Sequence, residues 1–439
     1  MQWSKTKYSG WGRALNATGE IARPERVSAL HAILEKTPAP AIGNRKSYGD
    51  TALNEGGRVI DMTRLDRLLS FDPNSGLLDA EAGATISDIL AVFGPQGWMP
   101  TVMPGTGFAT LGGCIANDVH GKNHHVAGSF GQHVESILLV GPSGKPERIS
   151  LKRKAPLFRA TIGGLGQTGI ILTARIHLAK CPSGTMAVQE SRMADLDSFL
   201  DGFAASNAPY SVGWIDTTAS GVDLGRGILE EAHFSDGDFR KPRKTRSIPF
   251  NAPGFAMSKP MVKIFNSLYL RRVSKNGRDV ERSLTDFFFP LDRISNWNRL
   301  YGKKGFHQFQ CVLPDQNART ALTKILEEVS ASGLCSPLSV LKRMGPGRGG
   351  LMSFPMDGMT LAIDIANKRK STVLMARLND IALSAKGRVY LAKDSTLDPS
   401  LLPMMYSQLD AFREIIKAFD PDGAFETSQT RRLQIRQKA

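Results

Sequence analysis

Along the first 185 residues or so, short apolar runs alternate with glycine-rich turns. RVIDM (58–62) and LLDAEAGA (77–84) are rich in apolar residues and bounded by turn formers, which predicts strands. TISDILAVFGPQG (85–97) predicts a helix, with Thr85 or Ser87 as N-cap and Gly97 just beyond its end. VESILLVGPSGKPERIS (134–150) predicts a hairpin turning at PSG, and GIILTARIHLA (169–179) a further strand. From about 186 to about 390 the texture changes. HQFQCVLP (307–314) and MTLAIDIA (359–366) have strand character, whereas ARTALTKILEEVSASG (318–333) and STVLMARLNDIALSAKG (371–387) have helical character. Their alternation predicts a second sheet with helices on one face. Another helical stretch, 405–420, precedes a basic tail, and no internal repeat is visible. The pattern describes an α+β chain.

Composition narrows this only at one point. The 439 residues are 41% hydrophobic and 22% charged, ordinary for a globular protein, but 56 Lys+Arg against 41 Asp+Glu leave a net charge of +15. An anionic partner is expected: nucleic acid, a membrane surface or a phosphorylated substrate. No helix-turn-helix, zinc or RNP-type motif is present, so nucleic acid is set aside. Four widely spaced cysteines argue against a disulfide framework or a zinc site. The N-terminus has no apolar signal-like core, and no run approaches the ~20 apolar residues of a membrane span. The expected location is cytoplasmic or peripheral at the inner membrane. RKPRKTR (240–246), followed by IPFNAPGFAMSKPMVKIFNSLYLRR, admits two readings: a solvated surface loop, or a mobile basic and apolar flap touching anionic lipid or a lipid phosphate. Lys259, Pro260 and Lys263 argue against a spanning helix there.

Candidate chemistry concentrates in two glycine-rich segments, AIGNRKSYGDT (41–51) and PGTGFATLGGCIANDVHGKNHHVAGSFG (104–131). Glycine lets backbone approach a ligand closely and present N–H groups to phosphate oxygens, so the pair could hold the two phosphates of a dinucleotide. Neither fits GxGxxG or GxxxxGK[ST], and plain tight turns remain a second reading. His120 and His124 have the i, i+4 spacing of zinc-binding helices. The intervening GKN is a poor helix, however, and no acidic or thiol ligand is close, so no metal is expected.

SYGD (47–50), EAGATISDIL (81–90), MPGTGFATLGGCIANDVHGKNHHVAGSFGQHV (103–134) and GGLGQTGII (163–171) resemble the FAD-binding domain of the vanillyl-alcohol oxidase/PCMH flavoprotein superfamily. SGWGR (9–13), GRGILEEAHF (225–234), FQCVLP (309–314), SFP (353–355), AKDS (392–395) and RRL (431–433) narrow the resemblance to the decaprenylphosphoryl-β-D-ribose 2-oxidase family. Its members are flavin subunits of the epimerase that supplies arabinofuranose donors to bacterial cell envelopes. The resemblance implies a two-domain PCMH-type fold. Residues 1–185, completed by 388–439, would bind FAD, and 186–387 would form an antiparallel-sheet substrate domain covered by helices. The implied reaction is FAD-dependent oxidation of the 2-hydroxyl of a polyprenylphosphoryl-β-D-ribose to the 2-keto sugar, the first step of epimerisation. A short-chain dehydrogenase-type keto-reductase would complete it, and peripheral membrane contact would fit the lipid. A soluble sugar or aldonolactone oxidase of the same superfamily is the alternative.

Residue by residue, the resemblance gives the FAD contacts to Ala41, Ile42, Gly43, Asn44, Arg45, Lys46, Ser47, Tyr48, Gly49, Asp50 and Thr51 of the first loop. From the second come Gly105, Thr110, Leu111, Gly112, Gly113, Asn117, Asp118, Val119 and His120, joined by Ile171 and Tyr390, with the loop histidines at the flavin end. Many relatives of the wider superfamily bind flavin covalently through a first-loop histidine. NRKS has none, which implies non-covalent FAD. Lys393 would stabilise charge or act as base, with Tyr48, His120 and Lys122 orienting the sugar and relaying the proton. Gln308 and Gln310, two apart on a strand, would offer amides to sugar hydroxyls, beside Thr360. Lys342 would meet the substrate phosphate or sugar, unless it is a surface lysine at a strand end. Three positions depart from the family pattern. Arg45 replaces a glycine, and Thr360 and Ala362 stand where asparagine and cysteine are common. That cysteine is the family's covalent target for nitroaromatic inhibitors, so no such thiol adduct is expected at Ala362.

Overall fold

A computed structural model describes residues 3–239 and 245–436. Most of the run 240–246 therefore lies outside the described residues. Among the described residues three large sheets organise the chain. Ser4–Ser9, Asn16–Ala22, Arg58–Asp61 and Ala41–Ile42 form the first, antiparallel at its outer pair and parallel beyond it. The second is antiparallel and runs Leu68–Asp72, Leu77–Glu81, Ile170–Lys180, Val134–Val140, Pro146–Ser150, with Trp98–Pro100 paired to the far end of Ile170–Lys180. The predicted strands and the 134–150 hairpin are all present. Thr85 caps Ile86–Phe93 by accepting from the Asp88 amide, and Gly97 closes the following turn at φ 81. That is the local stop signal read from the sequence.

The third sheet has eight antiparallel strands, in the order Arg278–Ser283, Thr185–Met193, Gly227–Ser235, Tyr210–Ile215, Ser339–Met344, Gly358–Ala366, Phe306–Leu313 and Arg388–Val389. Leu196–Ala205, Asp315–Ser332 and Ser371–Ser384 cover one face. Phe309, Cys311, Leu313, Leu361, Ile363 and Ile365 meet Phe199, Ile325 and Leu378 in that core. Because side chains alternate along a strand, Gln308, Gln310, Thr360, Ala362 and Asp364 are left on the opposite face. The helices thus determine which residues face the rest of the protein. Pairing of Arg388–Val389 with Val312 and Cys311 carries this sheet two residues past the boundary expected at 387.

The C-terminal segment returns to the first half. Phe425 packs with Leu30, Ile60 and Leu172. Gln167 donates to the Phe425 carbonyl at 2.7 Å, and Arg432 binds both Asp50 and Asp394. Among the described residues no helix is long and apolar enough to cross a membrane.

Candidate functional site

A cavity of about 1070 Å³ runs between the first-half loops and the free face of the eight-stranded sheet. Its walls follow from strand register. Gln310 lies opposite Ala362 and Gln308 opposite Asp364, while Lys342 lies opposite Thr360 on the other side. Four of these side chains, Gln308, Gln310, Thr360 and Ala362, line the cavity together with Lys342.

The facing wall is the two glycine-rich segments. Ala41 through Tyr48, Thr51, Gly105, Thr110, Gly112, Gly113, Asn117, Val119, His120, Ile171 and Tyr390 all line the cavity, as expected. Among the described residues the amides of positions 43–47 donate to no protein acceptor, a row of free N–H groups. A side chain at Gly105 would meet nothing within 4 Å, whereas one at Gly43 would strike Thr110 Oγ1 at 2.3 Å, where the two loops touch. Asn117 Oδ1 is buried without a partner. Free amides, open glycine backbone and an unsatisfied amide oxygen suit a dinucleotide's phosphates and ring edges. The residues present fit FAD. Arg45 departs from the family glycine while keeping its backbone, at φ 50.

Four expected cofactor contacts lie off the cavity. Gly49 is a glycine because a Cβ would collide with the Asp394 carbonyl, 1.6 Å away. The Asp50 carboxylate is paired twice with Arg432, at 2.8 Å each. Leu111 is fully buried, its amide on the Ala84 carbonyl. Asp118, at φ 39, turns inward to accept from Ser129 Oγ at 2.9 Å and the Gly131 amide at 2.8 Å. The loop histidines also part company. Only His120 lines the cavity. His124 accepts from the Gly345 amide at 3.0 Å, and His125 Nε2 lies 3.0 Å from the Ala208 carbonyl.

At the sheet end the polar groups interlock. Thr360 donates to the Cys311 carbonyl at 2.8 Å and accepts from Gln310 Nε2 at 3.2 Å. Gln310 Nε2 is also 2.9 Å from His120 Nε2, and His120 Nδ1 is 3.1 Å from Lys342 Nζ. With the Gln310 amide donating, Nε2 must accept and Nδ1 must carry the proton, so Lys342 meets it as a free amine. Burial, helped by Lys122 and Lys393, pulls Lys342 down to about 7. Burial also holds His120 well below its usual range. Tyr390 stacks on Phe354 at 4.5 Å and donates to the Asn117 carbonyl at 2.9 Å, tying this end to the second loop.

Lys393 Nζ stands 3.8 Å from the centre of the Tyr48 ring. Burial lowers it to about 7, against an opposing pull from Asp364. Asp364 accepts from Gln308 Nε2 at 2.5 Å and Tyr301 Oη at 3.2 Å, and burial raises it to about 7. Lys122 donates to the Phe287 carbonyl at 2.5 Å, and burial lowers it to about 8. The first loop and the Lys393 segment are tied together: Tyr48 N reaches the Ala392 carbonyl, Thr51 Oγ1 the Leu391 carbonyl, and Arg432 clamps Asp50 to Asp394. Among the described residues no group of three His, Cys, Asp or Glu side chains could hold a metal ion.

Several residues that build the site, lining it or supporting its lining, escaped the sequence reading. Asp364 had a signal, a lone carboxylate in an apolar strand run, two places from Ala362. The stretch 290–297, which closes one side, had none; within it Asp292 accepts from the Gly107 amide at 2.7 Å.

The FAD binding domain family matches residues 21–150. The chain is 34% identical to the decaprenylphosphoryl-β-D-ribose oxidase of Mycolicibacterium smegmatis, over 97% of each protein. It is 23% identical to the L-gulono-1,4-lactone dehydrogenase of Mycobacterium tuberculosis, over 97% of this chain and 98% of that one. Identity to cytokinin dehydrogenase 2 of Oryza sativa is 27%, over 49% of this chain and 42% of the relative.

Proposed function

The chain belongs to the decaprenylphosphoryl-β-D-ribose oxidase family of FAD-binding oxidoreductases, and from that premise we propose that it oxidises the 2-hydroxyl of a polyprenylphosphoryl-β-D-ribose to the 2-keto sugar. One observation carries the choice of substrate. Lys122, Lys342 and Lys393, each partly buried, line a single cavity, and the loss of water around them depresses all three. Such a site gains most from an anion. A phosphodiester supplies one beside the sugar; a neutral sugar or aldonolactone does not, which disfavours the lactone-oxidase alternative.

FAD, held by the two loops, would supply the acceptor for a hydride from C2. The chain's own residues bind, orient and handle the proton. Lys393, half-deprotonated near neutral pH, can take the hydroxyl proton as a free amine, and its charged form offsets negative charge growing on that oxygen. Gln308, Gln310 and Thr360 present amide and hydroxyl groups to the sugar. Lys342 and Lys122 meet the phosphate, and the His120–Lys342 contact gives a proton leaving Lys393's neighbourhood a place to go. Among the described residues no cysteine lines the cavity, and the first-loop stretch NRKS has Lys46 and no histidine, which supports dissociable FAD. The product is a ketone, so a short-chain dehydrogenase-type reductase would follow to complete an arabinose donor for envelope arabinan. The lipid-linked substrate would bring the enzyme to the inner membrane surface.

The test is anaerobic reduction of the enzyme-bound flavin. Bleaching of the oxidised band by a short-chain polyprenylphosphoryl ribose, and not by free ribose or aldonolactones, is expected. Bleaching by the soluble compounds alone would keep the flavoprotein and overturn the substrate.

A further inference from the structure

The helix Lys259–Arg271 leaves four large apolar side chains in solvent. Met261, Ile264, Phe265 and Leu268 are 43%, 55%, 49% and 63% exposed, and their spacing of three, four and seven residues sets them in one stripe. The opposite side is firmly seated. Val262, Asn266 and Leu270 are buried, and Asn266 donates to Asp216 Oδ1 at 2.7 Å. Phe250 and Phe255, in the segment leading into the helix, are 80% and 67% exposed. Burying this stripe inside the molecule would require lifting the helix off its anchors.

Two further features identify what covers it. Residues 245–278 contain seven Lys and Arg and no Asp or Glu; Arg272 and Arg278 are paired with Glu190, while Lys263, Arg271 and Lys275 are exposed, so this segment brings positive charge to the border of the stripe. A cationic border around Phe, Ile and Leu suits acyl chains beneath anionic headgroups, whereas a protein partner would need a matching acidic rim around an apolar centre. Second, the stripe is continuous with the cavity. Tyr269 and Arg272, at the end of the same helix, line it beside Trp214, whose ring lies 4.6 Å from that of Tyr269.

We infer that this face of Lys259–Arg271 seats in the surface of an anionic lipid bilayer. The helix, at 13 residues, lies in the interface and does not cross it. The inference deepens the reading of a lipid-linked substrate: a polyprenyl chain can pass from bilayer to cavity along one helix without entering water.

The test is flotation of the FAD-loaded enzyme with vesicles of phosphatidylcholine alone or with phosphatidylglycerol. The native protein is expected to float with the phosphatidylglycerol vesicles, less in high salt, and to leave phosphatidylcholine vesicles largely bare. Ile264→Glu/Leu268→Glu should lower partitioning by at least about tenfold, with the flavin spectrum and reduction by a short-chain, water-soluble substrate unchanged. Lys263→Glu/Lys275→Glu, which leaves the stripe intact, should weaken binding to the anionic vesicles only. A native protein that never floats, or an Ile264→Glu/Leu268→Glu protein that floats like the parent, overturns the inference. So does a native dimer that this double substitution splits, since a second copy would then be the occupant. Vesicle binding that behaves as stated, with no flavin reduction by lipid-linked ribose, would leave this inference standing and overturn the substrate.

Discussion

Replacing Lys393 with methionine keeps an unbranched chain of similar length and removes only the amine. Burial lowers Lys393 from 10.5 to about 7. At roughly 1.4 kcal/mol for each tenfold change in proton affinity, that gap is about 5 kcal/mol against keeping the charged form inside. The sign follows from proton counting. The folded value is the lower one, so between about 7 and 10.5 the unfolded chain holds the extra proton. Stability therefore rises with pH through that window; the cost is full below it and gone above it. Structural relaxation, water entry and loss of the attraction to Asp364 reduce the recoverable part to about 2 kcal/mol. Urea unfolding with saturating FAD should find Lys393→Met more stable than the parent by that amount at about pH 6, with the difference fading by about pH 10. Flavin reduction should fall by roughly 10² to 10⁴. A substituted protein that is less stable at about pH 6, or whose difference ignores pH, would refute the reasoning.

Ala362 faces the cavity. Intact-mass measurement after turnover with a nitroaromatic compound should show no adduct on the native protein and one on Ala362→Cys; an adduct on the native peptide would contradict this. Asp292 accepts from the Gly107 amide within the second loop, and losing a hydrogen bond to a charged group costs about 1.5–3 kcal/mol. Asp292→Ala should therefore release FAD at least about tenfold more readily in fluorescence titration, and unchanged affinity would show that this contact does not support the loop. Arg45 occupies φ 50, where a side chain costs roughly 1–2 kcal/mol, partly offset by the entropy glycine loses on folding. Arg45→Gly should raise stability by up to about 1 kcal/mol in urea unfolding; a clear loss would mean that the guanidinium is used.

Local signals carried the elements well. Thr85 and Gly97 bounded a helix because capping needs only near neighbours, and HQFQC exposed the paired glutamines because strand alternation is a local rule. Motif residues whose duty is long-range misled. Asp50 belongs to Arg432, 382 positions away, a pairing that leaves no mark in the neighbouring sequence; Asp118 misled for a different reason, since its partners Ser129 and Gly131 lie in its own loop and only the path of that loop turns it inward. The same distance hid Asp292 and the 290–297 stretch, which reach the cofactor loops only through tertiary packing. Asp364 was legible in principle, since a carboxylate in a buried apolar strand needs a partner, and here it finds Gln308 and Tyr301. The basic, apolar character of the segment around 259–271 was visible from composition. Which of its side chains face solvent was not, because helical phase is set by what anchors the other face.

Oxidation at C2 of a lipid-linked ribose breaks the C2–H bond, so isotopic substitution at that carbon is the decisive measurement. Anaerobic single-turnover flavin reduction should be measured with polyprenylphosphoryl ribose carrying deuterium at C2, and separately at C1. A several-fold slowing is expected with the C2 label and none with the C1 label. Equal rates with and without deuterium at C2, in a reaction whose bond-breaking step is the one observed, would contradict it.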